Sequence, residues 1–205
     1  MAGRASKGAG GRCGGFTLIE LLIVLFLLAM LLTWGMPDLR RMITNARLAT
    51  ISNSLLADLR QTQANAMTYG SAWLCPVPPA GQADPGTCGT AWEDGWQVVR
   101  KKQGNESDPY TLLRVQDPLP KYAADHSSQI TIEGNDHIQY GICFNNQGYP
   151  QQLTQGDPPQ CSGTGNGTFS ISICRRDRTR GTKETCRYLV ISNSGRLSIS
   201  EEGQQ

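Results

Sequence analysis

The chain has 205 residues, enough for one domain of ordinary size or for one domain with an extension. Its formal charge of +2 depends on residues 1–15, which hold three of the 19 basic residues and none of the 17 acidic ones. The rest of the chain is slightly acidic, which excludes a polycation that binds nucleic acid through its overall charge.

Residues 16–36, FTLIELLIVLFLLAMLLTWGM, are almost entirely apolar and contain one acidic residue, Glu20. About 20 apolar residues can cross the hydrocarbon core of a membrane as a helix. The basic residues before them predict a cytoplasmic N-terminus. A signal peptide would end in a small-residue cleavage site after its apolar core. Here the pair Gly14–Gly15 comes before it, so the order of features disfavours a signal peptide.

The helical pattern continues past Pro37 to Tyr69. Apolar residues recur at helical spacing and define one face, formed by Leu48, Ile51, Leu55, Leu59 and Ala66. Polar residues are assigned to the other faces; they are Arg47, Ser54, Asp58, Arg60, Gln61 and Asn65. With Gly70 as a C-terminal cap, the sequence predicts a helix over 16–69, bent or loosened at Gly35 and Pro37. Its first half needs lipid or partner helices around it, whereas its second half needs a domain of the same chain.

The junction GGFTLIELLIV resembles the class III leader junction of type IV pilins and type II secretion pseudopilins. The resemblance implies cleavage between Gly15 and Phe16 by the prepilin peptidase, and N-methylation of Phe16. It also implies that Glu20 makes an assembly contact with the N-terminal amine of a neighbouring subunit. A carboxylate in a low-dielectric helix bundle is costly unless it is paired, and that amine would supply the pair. The alternative is a carboxylate tolerated near the membrane surface.

Six cysteines follow the apolar stretch, and none forms a CxxC pair that would indicate a zinc ribbon or a thioredoxin-like site. An even number of cysteines after an export-type N-terminus indicates disulfides and an oxidising compartment. The spacing does not fix the pairing. Sequence neighbours are favoured because each pair would close a local loop or hairpin. These pairs are Cys75–Cys88, Cys143–Cys161 and Cys174–Cys186.

From residue 71 the helical pattern ends, and the proline- and glycine-rich segment 73–90 is predicted to be a loop. Alternation and β-branched residues predict about seven strands, at 95–101, 110–116, 129–133, 138–145, 168–175, 187–193 and 196–200. The expected fold class is therefore α+β, with a long N-terminal helix packed on an antiparallel β-sandwich. The expected segments are a leader peptide (1–15), a transmembrane or filament-core helix (16–37), an amphipathic helix (38–70) and a disulfide-containing β-rich domain (71–205).

The β-rich half resembles the GspH/FimT/FimU group of minor pilins and pseudopilins. The similar segments are WEDGW (92–96), ITIEGNDHIQYGICFNNQGYP (130–150) and CRYLVISNSGRLSIS (186–200). In that group a GW strand begins the sheet, an F-x-x-x-G turn lies in mid-domain, and the chain ends near an S-x-x-G-R hairpin. The resemblance implies a minor pilin of a type IV pilus that initiates assembly or lies at the tip. A GspH-type minor pseudopilin of type II secretion is an alternative.

The segment CRRDRTRGTKETCR (174–187) opens the most basic part of the chain. Its candidate DNA-binding residues, with one from the following strand, are Arg175, Arg176, Arg178, Arg180, Lys183, Arg187 and Arg196. A Cys174–Cys186 bridge would hold these arginines in solvent, where they could bind phosphates. FimT-like members of the group are implicated in DNA uptake, but their Gly-Arg-x-Arg pattern lacks its second arginine here. A solvated hairpin, or a surface for an acidic minor pilin, is favoured over a pilus-borne DNA receptor for natural transformation.

Other candidate chemistry is weak. His126 and His137 lack metal-ligand spacing and are expected to be loop or surface histidines. Residues 163–167 lack the lysine and helix of a phosphate-binding loop. We therefore expect no enzymatic activity, no cofactor and no metal site. Three tryptophans are expected to anchor the core: Trp73, Trp92 and Trp96.

The resemblance also implies partners and a location. The partners would be other minor and major pilins, the prepilin peptidase, an inner-membrane assembly platform and, in the DNA-receptor alternative, DNA. A single transmembrane helix would hold the protein in the bacterial inner membrane, with the globular domain in the periplasm. From there the protein would enter a pilus at the cell surface.

Overall fold

A computed structural model describes residues 16–79, 83–102, 109–119, 128–156, 158–163, 167–177 and 185–201. Within helices and strands it describes the backbone alone at residues 33–41, 44, 128–129, 176–177 and 201. The leader peptide lies outside these residues, as do Arg178, Arg180, Lys183 and His126. The chain divides into two compact units, Met1–Ile43 and Thr44–Gln205.

One long helix, α1, runs from Leu18 to Tyr69, which confirms the helix predicted from the periodicity. It ends where the N–H of Gly70 donates to the carbonyl of Ala66 at 2.8 Å. Its backbone stays helical through Gly35 and Pro37, where the sequence suggested a bend or a looser segment. The predicted length and the C-terminal boundary are therefore confirmed.

The second half of α1 buries the predicted face. Leu48, Leu55, Leu59 and Ala66 are at most 2% exposed. The assignment of Asp58 to another face is wrong, because its side chain is also fully buried. Asp58 follows Leu55 by three residues, and residues three apart are neighbours on a helix surface.

Ten strands lie in the described part of the chain. They are β1 (Ser71–Pro76), β2 (Trp96–Lys101), β3 (Tyr110–Gln116), β4 (Ser128–Gly134), β5 (Ile142–Asn145), β6 (Pro150–Thr154), β7 (Gln160–Ser162), β8 (Phe169–Asp177), β9 (Thr185–Ile191) and β10 (Leu197–Glu201). A six-stranded sheet has the order β3-β2-β1-β5-β6-β7, and a four-stranded sheet has the order β10-β9-β8-β4. Every ladder is antiparallel.

The prediction of a loop over 73–90 is wrong at its start, because β1 is a buried strand that pairs with both β2 and β5. Its apolar run precedes Pro76, which is the last residue of the strand and lies opposite Trp96, so proline removes an N–H donor only at the end of the ladder. Strands β6 and β7 are also absent from the prediction, since both are short and largely polar. Strand β5 is shorter than 138–145, because Gly141 donates to the carbonyl of Ile138 in a turn at 3.1 Å.

The main core lies within the second unit and combines α1 with both sheets. It includes Leu55 and Leu59 from α1, Ala72 and Leu74 from β1, and Ile171 from β8. Trp92 and Trp96 also belong to it. Trp73 and Cys75 point to the opposite face of the six-stranded sheet, as the period of two along a strand requires. The α+β fold class and the core role of the three tryptophans are confirmed.

Three disulfides join cysteines that are neighbours in sequence, the pairs that were expected because each closes a local loop or hairpin. Cys75 pairs with Cys88, Cys143 with Cys161, and Cys174 with Cys186. The first two lie beside Trp73, on the outer face of the six-stranded sheet. The third joins directly opposite residues of β8 and β9, at the base of the basic hairpin.

Candidate functional site

The N-terminal end of α1 contains the predicted processing and assembly residues that the structure describes. Phe16 precedes the helix and is 84% exposed, and Glu20 is exposed in the first helical turn. The N–H of Glu20 donates to the Thr17 carbonyl at 3.1 Å and lies 3.3 Å from Thr17 Oγ1. Gly15 lies outside the described residues, so cleavage and N-methylation stay predictions.

Thr17 and Glu20 have the spacing of a capping box, T-x-x-E, in which a threonine side chain accepts a hydrogen bond from the third helical N–H. The bond from the Glu20 N–H to Thr17 Oγ1 is this contact. An acidic residue in the first turn is also favoured by the helix dipole. Glu20 therefore has a local role at the start of α1, in addition to the predicted assembly contact. The T-x-x-E spacing would have revealed this role from the sequence.

Large apolar side chains are exposed on all sides of the first part of α1. Between Phe16 and Leu32 they are 46% to 84% exposed. Such a surface is unfavourable in water and needs an apolar environment or partner helices. In the described residues, no helix meets the combined requirement of length and apolarity for crossing a membrane.

Arg175 differs from the expectation of a solvent-facing arginine. Its side chain is buried, and Nη1 donates to Asn45 Oδ1 at 2.8 Å. Arg187 is half-buried in β9, and Arg196 is exposed beside the β9–β10 turn. The side chains of the other four candidates (Arg176, Arg178, Arg180 and Lys183) lie outside the described residues. Of the three candidates whose side chains the structure describes, Arg175 belongs to the packing of β8 against α1, and Arg196 is exposed.

Asp58 forms a buried polar centre that sequence reasoning missed. Its Oδ2 accepts a hydrogen bond from Trp96 Nε1 at 2.8 Å, and its Oδ1 lies 3.1 Å from Arg114 Nη1. Burial raises the pKa of Asp58, whereas the Trp96 hydrogen bond and the Arg114 charge lower it. Arg114 itself is 45% exposed, so the ion pair reaches the surface. The centre ties α1 to β2 and β3.

The WEDGW segment connects the two sheets. It contains a 3-10 turn, Trp92–Asp94, followed directly by the start of β2. Glu93 Oε1 accepts the backbone N–H of Ile132, in β4, at 3.1 Å. Trp96 at its other end binds Asp58. The family-like motif therefore has a structural function here, because it fastens β4 and α1 to the start of β2.

The described residues offer little for metal or acid–base chemistry. His137 is half-buried, and its ring lies 5.9 Å from that of Phe169 in an edge-to-face arrangement. Among these residues, no group of three or more His, Cys, Asp or Glu side chains could hold a metal ion.

Two family models match the chain. One, described as Type II transport protein GspH, matches residues 52–195. The other, described as Prokaryotic N-terminal methylation motif, matches residues 11–36. No curated protein and no solved structure matches the chain. The first match runs from the second half of α1 to just before β10, and the second covers the predicted cleavage junction, Glu20 and the exposed apolar residues.

Proposed function

The chain belongs to the family of the type II transport protein GspH, and from this we propose that it is a minor pilin of a type IV pilus that initiates assembly or lies at the tip. In the wider sense it is a pilin-like protein with an N-terminal methylation motif. Proteins of this kind are structural subunits, anchored in the membrane and exported. The observation that carries the proposal is the exposed apolar start of α1, which begins with Phe16 and contains Glu20.

The proposed sequence of events follows from this segment. The apolar residues hold the unassembled protein in the inner membrane, with the leader in the cytoplasm. Cleavage after Gly15 creates a new amine at Phe16. In the filament, the apolar side chains pack against helices of other subunits instead of lipid. Glu20 then pairs with the N-terminal amine of a neighbour, because a carboxylate in that bundle requires an opposite charge.

A test starts with the full chain in its own host, in filaments sheared from the cells. We expect the mature protein to begin at N-methylated Phe16, as measured by mass spectrometry. Glu20→Ala should be cleaved and inserted in the membrane, yet incorporated at least about tenfold less, since an unpaired amine is left in the bundle. Glu20→Gln is the matched control that keeps the size and removes the charge. Incorporation of both variants at the wild-type level would exclude the pairing.

The description of the matched family favours a second candidate, a minor pseudopilin of type II secretion. The same helix and domain would then serve a filament that stays in the periplasm. Deletion separates the two functions. Loss of pili or twitching with normal secretion supports the minor pilin, and the opposite result supports the pseudopilin.

The DNA-receptor function has less support from the described residues. Arg175 is engaged with Asn45, which leaves Arg196 as the exposed arginine of the candidate set in the described residues. A single exposed cation provides little of the phosphate neutralisation on which nucleic-acid affinity depends. This alternative therefore depends on the candidates whose side chains lie outside the described residues, namely Arg176, Arg178, Arg180 and Lys183.

A further inference from the structure

Two tight turns from different sheets meet at one side chain of α1. The first turn, 145–149, connects β5 to β6, and the second, 192–196, connects β9 to β10. Gln63 Nε2 donates to the carbonyl of Gly148 at 2.8 Å and to the carbonyl of Gly195 at 2.9 Å. These are the F-x-x-x-G and S-x-x-G-R segments, which are far apart in sequence. We call them together the paired turns.

The contact between the turns requires glycine at both positions. Gly148 and Gly195 each have a φ of +79°, which side chains other than glycine rarely adopt. A Cβ added at Gly195 would lie 2.4 Å from the Gly148 carbonyl oxygen. Packing therefore explains why glycine occupies positions 148 and 195 beside Gln63. It does not explain the identity of the other residues in the two turns.

Each turn is also stabilised by hydrogen bonds of its own side chains to its backbone. Asn145 Oδ1 accepts the backbone N–H groups of Gln147 and Tyr149, at 3.0 and 2.9 Å. In the second turn, Ser192 Oγ accepts the backbone N–H of Arg196 at 3.0 Å. Local side-chain bonds of this kind fix a turn without help from neighbouring elements. The loop ends are therefore held in one arrangement before any partner arrives, which lowers the entropic cost of binding.

The remaining side chains of the paired turns face solvent. The framework residues are buried or half-buried, and the six others are exposed: Asn146, Gln147, Tyr149, Asn193, Ser194 and Arg196. They comprise amides, a hydroxyl, one aromatic ring and one arginine, without a carboxylate. Tyrosine, serine and asparagine, with arginine at the energetically important positions, are typical of the binding loops of antibodies.

We propose that the paired turns form a docking surface for a carboxylate-bearing loop of a different protein subunit. Arg196 is the one charged residue of the two turns and is exposed, and a carboxylate on the partner is the group that complements its charge. Tyr149 supplies aromatic contact area, and the side-chain amides of Asn146, Gln147 and Asn193 offer hydrogen-bond donors and acceptors, whereas the Ser194 hydroxyl already bonds to that of Ser192 at 2.9 Å. A nucleic acid fits this surface less well, because a single cation gives little counterion release. The identification of the partner as a filament subunit rests on the proposed function.

The test uses the full chain in its own host. A photo-cross-linking residue, p-benzoylphenylalanine, replaces Gln147 or Asn193. The control position is Gln139, which is exposed in the turn between β4 and β5. We expect adducts from 147 and 193 with one other protein whose N-terminus carries the same kind of leader junction, identified by mass spectrometry. Arg196→Glu should lower the adduct yield at least about fivefold, since charge reversal repels the carboxylate, and Arg196→Lys should retain most of it.

Other outcomes overturn the inference. These are an adduct of equal yield at Gln139, an adduct with a second copy of this chain, and an unchanged yield in Arg196→Glu. A single-stranded oligonucleotide whose gel shift is lost in Arg196→Glu, without a protein adduct, would assign the surface to nucleic acid. Wild-type protein absent from sheared filaments would contradict the proposed function. Wild-type and variant proteins present in filaments at equal levels, without an adduct, would contradict the docking surface alone.

Discussion

The two halves of α1 bury their apolar residues in different ways. In the second half, the apolar side chains form one face, and that face is buried in the core of the second unit. In the first half, apolar side chains surround the helix and remain exposed. One continuous helix therefore satisfies two requirements, because part of its sequence is matched to its own domain and part to other molecules.

This difference shows which residues can be explained within one chain. A buried leucine of the second half contributes to the stability of the domain through burial and close packing. An exposed leucine of the first half is not buried by the described residues, so its contribution is expected upon insertion or assembly. The same distinction applies to the acidic residues, since Asp58 has its partners in the domain, whereas the proposed partner of Glu20 belongs to another subunit.

The largest expected effect comes from Leu59→Ala, because Leu59 is fully buried in the main core. A cavity of this kind costs about 2–5 kcal/mol of the free energy of unfolding. The matched control, Leu25→Ala, removes the same atoms from a side chain that is 57% exposed and should change the stability of the domain by less than about 0.5 kcal/mol. Denaturant unfolding of the full chain in detergent, followed by tryptophan fluorescence, measures both. Equal losses would remove the distinction between the halves.

Much of the fold could be predicted because the strongest signals are local. The period of α1, the alternation in β3 and the position of Gly70 each depend on neighbours in sequence. The central position of β1 could not be predicted in this way, since its ladder partners in β2 and β5 lie between 20 and 74 residues away in the sequence. Pro76 and the proline- and glycine-rich residues that follow it indicated a loop instead of a strand.

The same distinction between local and long-range contacts applies to the candidate sites. The T-x-x-E capping pattern and the three-residue spacing between Leu55 and Asp58 are local signals that the sequence contains. The contacts of Gln63 with two glycine turns, and of Arg175 with Asn45, join residues separated by 85 to 132 positions. No local pattern marks such contacts, so the paired turns and the burial of Arg175 emerged from the structure.

A smaller effect is expected at Asp58, where two substitutions distinguish the contribution of the buried charge to stability from that of the hydrogen bond. Asp58→Ala leaves the buried Trp96 N–H without an acceptor and should cost about 1–3 kcal/mol. Asp58→Asn keeps an acceptor and removes the buried charge, so at pH 7 its stability should lie within about 1 kcal/mol of wild type, or above it.

The difference in stability between wild type and Asp58→Asn should depend on pH in a defined direction. The pKa of Asp58 is raised on folding, so the native state binds its proton more tightly than the unfolded state does. Wild type should therefore gain stability relative to Asp58→Asn as the pH falls through the folded pKa towards 3.8, the ordinary value. Chemical unfolding of both proteins between pH 7 and pH 4 measures the difference. A relative loss of wild-type stability on acidification would show that the Arg114 ion pair outweighs burial.

The smallest effect is expected at Thr17, where α1 begins. Thr17→Ala removes the side-chain acceptor for the Glu20 N–H and should cost about 0.5–2 kcal/mol of local helix stability. Because this end of the helix lies outside the second unit, the unfolding of the domain should stay unchanged, while amide hydrogen exchange at residues 18–21 becomes faster. Thr17→Ser keeps the acceptor and serves as the control. Slower incorporation of Thr17→Ala into filaments, with Glu20 intact, would show that the capped first turn positions Glu20 for its neighbour. Normal incorporation together with faster exchange would show that Thr17 stabilises only the end of the helix. Assembly would then depend on the charge of Glu20 and not on the cap.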